Sequence, residues 1–317
     1  MAFNYSYAVP RLDLGIAWEE YKTTLDDFVA DQVLPIFRSS KKSAKYSALT
    51  KDSLLQDNDA NRSVGGHYNR LHTKMSDKSF DCEEFGFEHP VDDVEREVYS
   101  SDFDAEVVAT KVTARALALQ REKRTAALLF NGTTWTGATL FLDTAVTWAT
   151  VATSTPINDI LTACTNVKNN CGIWPNALIL NYTNLGLLLQ SAQVRAQYPG
   201  SLAITVDMLR VTLASIVGLE KIIVAGAARN SALEGQTVVA SQVWSSSNAM
   251  VACIADENEP LLTPCVGRSM LFVPDSPQIV TVETYREEQS RSTIVRARQN
   301  VDEIVHDPSF AFLLKVD

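Results

Sequence analysis

The chain has 317 residues, 46% hydrophobic and 21% charged, with a formal net charge of -10. That balance belongs to a chain with a packed core and excludes a disordered tail, a collagen-like fibre and a disulfide miniprotein. Taken over the whole chain, the acidity also argues against a protein whose main task is to grip nucleic acid phosphates.

The first residues lack the basic start and apolar stretch of a secretory signal. No apolar run approaches the roughly 18–20 residues that span a bilayer, so no membrane role is expected. Trp18–Phe37 places Leu25, Phe28, Val29, Val33 and Leu34 at roughly helical spacing, and Pro35 closes the pattern. Residues 38–80 change character: Ser, Lys, Asn and Asp dominate and Gly65-Gly66 sits mid-segment. Such a segment cannot make a core of its own. It predicts a long excursion, a two-stranded hairpin, that needs another surface to lie on. It carries nine Lys/Arg against four acids, a local charge of +5. Residues 81–106 then hold eleven acids and one base, Arg96, so this connector alone accounts for -10.

From Asp102 to Phe130 there is no Gly or Pro, and Ala, Leu, Val, Arg and Lys prevail. Ser101 with Asp104 resembles a capping box and Asn131-Gly132 is a stop signal. A helix of about 25 residues there would be roughly 38 Å long. Acids (Asp102, Asp104, Glu106) at its start and bases (Arg115, Arg121, Lys123, Arg124) toward its end suit the helix dipole. Its alanines allow close approach by neighbouring backbone. Residues 131–155 read as turns. Thr155-Pro156 opens a helix with Ile157, Ile160, Leu161, Cys164, Val167 and Cys171 on one face, closed by Gly172.

An α/β unit continues with a strand at Ala177–Leu180 and a helix through Leu185, Leu188, Leu189 and Ala192. A further helix over Val206–Val217 and strands at Lys221–Ala225 and Ala249–Ala255 complete it. The last forty residues are strand-like: Ile279–Tyr285, a polar turn, Thr293–Arg298 with Ile294, Arg296 and Arg298 facing alike, and Phe310–Val316.

Catalytic signatures are weak. Gly132–Thr139 has the spacing of a phosphate loop, but Ala138 stands where the phosphate-holding Lys is required, and the segment follows a helix instead of a strand. His67 and His72 lie in the polar excursion. Cys82 and His89 sit among acids that would raise the thiol pKa. Asp256, Glu257 and Glu259 read as a solvated loop. Five cysteines without CxxC spacing read as reduced, mostly buried thiols. No catalytic residue, cofactor or metal ligand set is expected.

Two stretches and one spacing carry a family resemblance. Gly86-Phe-Glu-His-Pro-Val-Asp-Asp93 leads to Leu119-Gln-Arg-Glu-Lys-Arg-Thr-Ala-Ala-Leu-Leu-Phe130. Val295-Arg-Ala-Arg298 precedes Val301-Asp-Glu-Ile-Val305 and Pro308-Ser-Phe-Ala-Phe312. Thr155-Pro-Ile-Asn-Asp-Ile160 is followed by Pro175-Asn176. In this order they resemble the tailed-bacteriophage major capsid protein with the Hong Kong 97-type fold. The Ser-Phe-Ala-Phe ending is a small departure from the family's usual one.

The resemblance implies an α+β capsid fold with an N-arm (1–37), an extended loop (38–80), a peripheral domain with a long spine helix (81–150), an axial α/β domain (151–275) and peripheral return strands (276–317). It implies a structural, non-enzymatic protein of the virion, assembled in the bacterial host cytoplasm. Its subunits would form pentamers and hexamers of an icosahedral shell around double-stranded DNA, without sequence-specific binding. A portal and a decoration protein are the implied partners. Because the chain starts at Met1 directly with the arm, a separate scaffolding protein is expected as well. The family's lysine–asparagine crosslink does not transfer, since no motif selects among Lys41, Lys42, Lys45, Lys51, Lys74 and Lys78.

The charge blocks give this a physical form. A coreless +5 loop beside a -10 connector, repeated on every copy, can set register between subunits. Head-to-tail contacts of that type close into rings. The candidate interface comprises Arg38, Lys41, Lys42, Lys45, Arg62, Arg70, Lys74 and Lys78 on the basic side. On the acidic side it comprises Asp81, Glu83, Glu84, Glu88, Asp92, Asp93, Glu95 and Glu97. The competing reading of the blocks is two solvated faces of a monomer. The competing functions are an encapsulin-type compartment shell on the same fold and a cytoplasmic α/β enzyme, which a pocket of convergent perturbed acids would support.

Overall fold

The computed structural model describes residues 8–22, 27–100, 104–198 and 204–317. A two-residue strand β1 (Val9–Pro10) precedes helix α1 (Leu12–Lys22), which buries Leu14 and Trp18 one turn apart. A short helix α2 (Ala30–Val33) and strand β2 (Ile36–Ser39) follow. The helical pattern expected over Trp18–Phe37 is therefore three pieces, with Leu25 outside the described residues. Pro35 ends α2, and the chain beyond it is drawn into a parallel pairing that puts Phe37 beside Met270.

Strands β3 (Ser43–Leu49) and β4 (Met75–Asp81) pair antiparallel, Ser43 opposite Asp81 and Leu49 opposite Met75. They form the stem of the expected hairpin. Between them lie the single-turn helix α3 (Lys51–Leu54) and an irregular, exposed tip. The acidic connector is regular structure, which its charge hid: strand β5 (Glu83–Asp92) and helix α4 (Asp93–Tyr99). Phe85, Phe87, His89 and Val91 alternate with Glu84, Gly86, Glu88 and Pro90 along β5, and the proline is tolerated on a strand paired along one side.

Helix α5 (Ala105–Leu129) runs 25 residues. Asp104 is its N-cap, accepting from the Glu106 amide at 2.9 Å, so the cap falls on Asp104; Ser101 lies outside the described residues. Ala109, Thr113, Leu117, Arg121 and Thr125 form one buried stripe, and their modest size near the helix start lets α5 lie close on the sheet. Strand β6 (Phe141–Asp143) interrupts the expected turns. Helix α6 (Pro156–Cys171) ends on Gly172, whose φ of 79° is left-handed backbone that glycine adopts without strain.

The α/β stretch contains β7 (Ala177–Asn181), α7 (Tyr182–Gln190), α8 (Ala192–Ala196), α9 (Val206–Ile216), β8 (Lys221–Ala225), a hairpin of β9 (Ala228–Asn230) and β10 (Ala240–Gln242), and β11 (Asn248–Ala252). Ser191 breaks the single helix expected through Ala192 by capping α8, its hydroxyl accepting from the Val194 amide. The chain finishes with β12 (Gly267–Phe272), β13 (Thr281–Glu287), the 14-residue β14 (Ser292–Val305), a 3-10 turn (Pro308–Phe310) and β15 (Ala311–Lys315).

Two sheets organise these elements. One has the order β1-β13-β14-β12-β2, with β5 also paired to β14; the other has the order β6-β15-β11-β7-β8. Sheet membership crosses the spans drawn from sequence. The terminal strand β15 pairs with β11 in the second sheet, while β12 pairs with β14 in the first. The largest core cluster accordingly joins Leu129, Trp148, Ile160, Leu178, Leu213, Val251 and Phe312. A second joins Trp18, Leu117, Val282 and Val295 under α5.

Candidate functional site

The hairpin is fastened at its base and again through α3, where Leu54 packs on the main core and Leu55 approaches Gly172 at the end of α6. At the base, Phe80, Cys82 and Met270 form a small core with Tyr46 and Phe37 against it. The Tyr46 hydroxyl lies 2.7 Å from Nδ1 of buried His306, and the Asp81 amide donates to Asp302 at 2.9 Å. Burial lowers the His306 pKa to about 4, with Arg268 and Lys78 adding like charge. Beyond the base, the tip is held by polar bonds across its own width: Ser53 to the Lys74 carbonyl (2.5 Å), Gln56 to the His72 carbonyl (2.7 Å) and Asn69 to the Asp59 carbonyl (2.6 Å). Leu55, Val64, Tyr68 and Leu71 are exposed there.

The basic residues are distributed along this arm. Arg38 on β2 donates to the Pro277 carbonyl, and Lys41 and Lys42 lie exposed at the turn into β3. Lys45 points outward from β3 and Lys78 is half-buried on β4. Arg62 donates to the Gly66 carbonyl and stacks 4.9 Å from the Tyr68 ring centroid. Lys74 is 3.9 Å from Asp52, and Arg70 is exposed at the tip.

The acidic residues do not present one continuous charged face. Glu88 pairs with Arg296 of the neighbouring strand at 2.7 Å. Asp93 receives both Arg286 nitrogens at 2.6 and 2.5 Å, and that guanidinium holds its carboxyl below the usual range. Asp92 caps α4 by accepting from the Val94 amide. Farther on, Glu106 pairs with Arg11 and Arg96. Asp81, Glu83 and Glu84 at one end of β5, and Glu95 and Glu97 on α4 at the other, have exposed carboxylates without an ion-pair partner among the described residues. Eight residues of strand beyond Glu84, roughly 27 Å, separate the two groups. Around α4 and the start of α5, Val94, Val98, Val108 and Val112 are also exposed.

Sequence reasoning missed the arginines that neutralise the connector, Arg286 and Arg296, because pairing between distant strands is invisible in one sequence. It also assigned Arg121 and Arg124 to the helix dipole, whereas both point inward. Arg121 pairs with Asp31 and donates to Ser269, and Arg124 forms a two-pronged bond with Glu303, both prongs 2.9 Å. The only hint was the position of Arg121 on the stripe that carries Ala109, Thr113 and Leu117.

Buried acids do converge near α2, but in structural roles. Glu122 accepts from the Ala30 amide at 2.6 Å and the Trp244 indole at 2.7 Å, and burial raises its pKa. Asp31 is held to about 2 by Arg121 and Lys22 against its burial. The cavity beside them, lined by Trp18, Phe28, Glu122 and Val280, measures about 30 Å³, whereas the other side of Asp31 opens on a cleft of about 470 Å³ lined by Arg210, Lys221, Asp256 and Glu257. Cys82 and His89 are seven residues apart on one extended segment, too far to meet. Burial pushes the Cys82 thiol up to about 11, with Asp302 and Asp81 adding to it. The loop resembling a phosphate site is filled by buried Trp135. Among the described residues there is no cluster of three metal-ligating side chains, and no helix is long and apolar enough to cross a membrane.

A long helix lying across a β14-centred sheet, a projecting hairpin, and an α/β stretch on a second sheet together make the Hong Kong 97-type capsid fold. Comparison with solved structures gives the same fold. A phage-related protein from Bordetella bronchiseptica superposes with a TM-score of 0.72 at 17% identity, covering 98% of each chain. The capsid of a native GTA particle matches with a TM-score of 0.58 at 12% identity over 92% of this chain and 90% of that one. The capsid of cyanophage P-SCSP1u matches with a TM-score of 0.56 at 14% identity over 89% and 86%. No protein-family model and no curated protein matches the sequence.

Proposed function

We propose that the chain is the major capsid subunit of a tailed bacteriophage, assembling through pentamers and hexamers into an icosahedral shell that encloses double-stranded DNA. The observation that carries this reading is the hairpin. A basic arm anchored at its base and through α3 against the end of α6, with Leu55, Val64, Tyr68 and Leu71 left exposed at its tip, is complete when it lies on another molecule. The same chain offers a complementary surface: the unpaired Glu95 and Glu97 beside the exposed valines Val94, Val98, Val108 and Val112. Arg62, Arg70 and Lys74 of one subunit would meet that surface on the next, with the apolar side chains supplying affinity and the charges supplying register. Under this reading residues 1–37, 38–80, 81–150 with 276–317, and 151–275 serve as arm, extended loop, peripheral domain and axial domain, except that β12 joins the peripheral sheet and β15 the axial one. Scaffolding, portal and decoration proteins are the partners, and the virion is the destination after assembly in the host cytoplasm.

Reversing Arg62, Arg70, Lys74 and Lys78 to Glu tests the contact. The variant should keep the wild-type circular dichroism spectrum yet fail to form capsomers by analytical ultracentrifugation. Wild-type assembly by the variant would refute the pairing.

A further inference from the structure

The hairpin segment from Thr50 to Lys74 is bonded within itself. Thr50 and Ser53 both donate to the Lys74 carbonyl, at 3.0 and 2.5 Å, Gln56 donates to the His72 carbonyl and Asn69 to the Asp59 carbonyl. Arg62 turns back to the Gly66 carbonyl, and Lys74 stands 3.9 Å from Asp52. Among the described residues, no hydrogen bond or ion pair joins this segment to any residue outside it. It meets the stem at the last pair of the ladder, Leu49 opposite Met75. Its further hold is apolar: Leu54 packs, partly buried, on the main core, and Leu55 Cδ2 closes over Gly172, where an added Cβ would lie 3.2 Å from it. The hairpin's two holds fall on different sheets. The base core rests on Met270 of the first sheet, whereas α6, beneath α3, packs with Leu178, Val251 and Phe312 of the second. Helix α3 is one turn of four residues, too short to offset the cost of nucleation without that support.

We propose that the hairpin is a strap with a releasable clasp: α3 holds the arm down on its own α6, and residues 50–74 lift off as one unit, turning at the Leu49–Met75 pair while the stem stays fastened. Release requires only that the Leu54 and Leu55 contacts part, because no polar bond crosses from the segment to α6. The internal bonds to Lys74, His72 and Asp59 travel with the segment and keep it together. Lifting also uncovers Leu54, which joins the exposed Leu55, Val64, Tyr68 and Leu71. The arm thus has a held and a free position within one chain. The clasp does not depend on shell formation, so its failure leaves the capsid reading untouched, and the failure of that reading leaves the clasp untouched.

Hydrogen exchange of the full chain, dilute and unassembled, resolved to single amides by mass spectrometry, tests this. The markers are the Ser53 and Leu55 amides, bonded to the Thr50 and Lys51 carbonyls at 3.0 and 2.9 Å, and the Gly66 amide, bonded to the Ser63 carbonyl at 3.0 Å. In wild type the two α3 amides should exchange more slowly than those of Tyr68 and Leu71 at the tip, and faster than the paired amides of the stem. Leu54→Ala keeps the helix propensity but removes most of the apolar contact. It should speed exchange at Ser53 and Leu55 about tenfold, with no change at Gly66, in the stem or in α6. Leu54→Met, which keeps the contact, should match wild type. Unchanged exchange in α3, or an equal rise in α6 and the stem, would overturn the proposal. So would wild-type α3 amides that exchange as fast as the tip or as slowly as the stem, a result that decides the matter even if a variant fails to fold.

Discussion

Arg124 joins three elements, and its replacement by lysine is the most informative single perturbation of the fold. Its guanidinium makes two parallel 2.9 Å bonds to Glu303 of β14, whose side chain is 7% exposed. The same group lies 3.9 Å over the Phe85 ring of β5. Lysine preserves the charge but can offer Glu303 only a point contact and cannot stack as a plane. One lost charge-assisted bond is worth about 1.5–3 kcal/mol and the weakened ring contact about 0.5–1. Arg124→Lys should therefore lower stability by about 2–4 kcal/mol. With an unfolding entropy of roughly 0.7 kcal/mol/K for a chain of this length, the melting temperature should fall by about 3–6 °C. Differential scanning calorimetry on the reduced chain reads this directly. Arg115→Lys is the control, because Arg115 donates to the Tyr21 hydroxyl at an exposed site and should shift stability by no more than about 0.5 kcal/mol. Equal shifts for the two variants would refute the idea that Arg124 pins β5 to the helix and sheet.

Other expectations follow from single sites. His306 is neutral in the fold and its pKa of about 4 lies below the unfolded value of 6.5, so its contribution is intact above pH 6.5 and fades as pH falls toward 4. Urea unfolding at pH 7 and pH 4.5 should show wild type losing about 2–3 kcal/mol more than His306→Gln; equal losses would contradict this. Gly267→Ala should cost about 3 kcal/mol or more by urea denaturation, because its Cβ would collide with the Ile304 carbonyl and press on Leu34. Gly186→Ala, on α7 with open space around the new Cβ, should instead gain about 0.5–1 kcal/mol in the same assay. Trp244→Phe removes an indole donor from buried Glu122 and should cost about 1–3 kcal/mol, read as a lower urea midpoint.

What the sequence disclosed follows from the range of the interactions involved. Helix α6 was legible from Pro156 to Gly172 because its signals are local: a proline at the first turn, apolar spacing of three and four, and a glycine stop. The hairpin was legible as a segment that lacks apolar residues, and Lys221–Ala225 as a short β-branched run. Strand β5 was hidden by its carboxylates. Its acids are tolerated because Glu88 meets Arg296 across the ladder, a partner more than two hundred positions away in the chain. Strand β12 was missed because Arg268 and Ser269 read as polar, although both are buried, with Arg268 donating to the Asp256 and Glu259 carbonyls. Of the candidate interface's basic half, Lys41, Lys42, Lys45, Arg62, Arg70 and Lys74 lie exposed, while Arg38 bonds the Pro277 carbonyl and Lys78 is half-buried. The acidic half divides into neutralised and free groups that only strand pairing could sort.

The central claim is that this fold exists to build a closed shell from copies of itself. Negative-stain electron microscopy of the purified chain, alone and co-expressed with a scaffolding partner, tests it most directly. Rings of five and six subunits and hollow icosahedral particles are the predicted result. Small monomers under every assembly condition, with or without the partner, would contradict it.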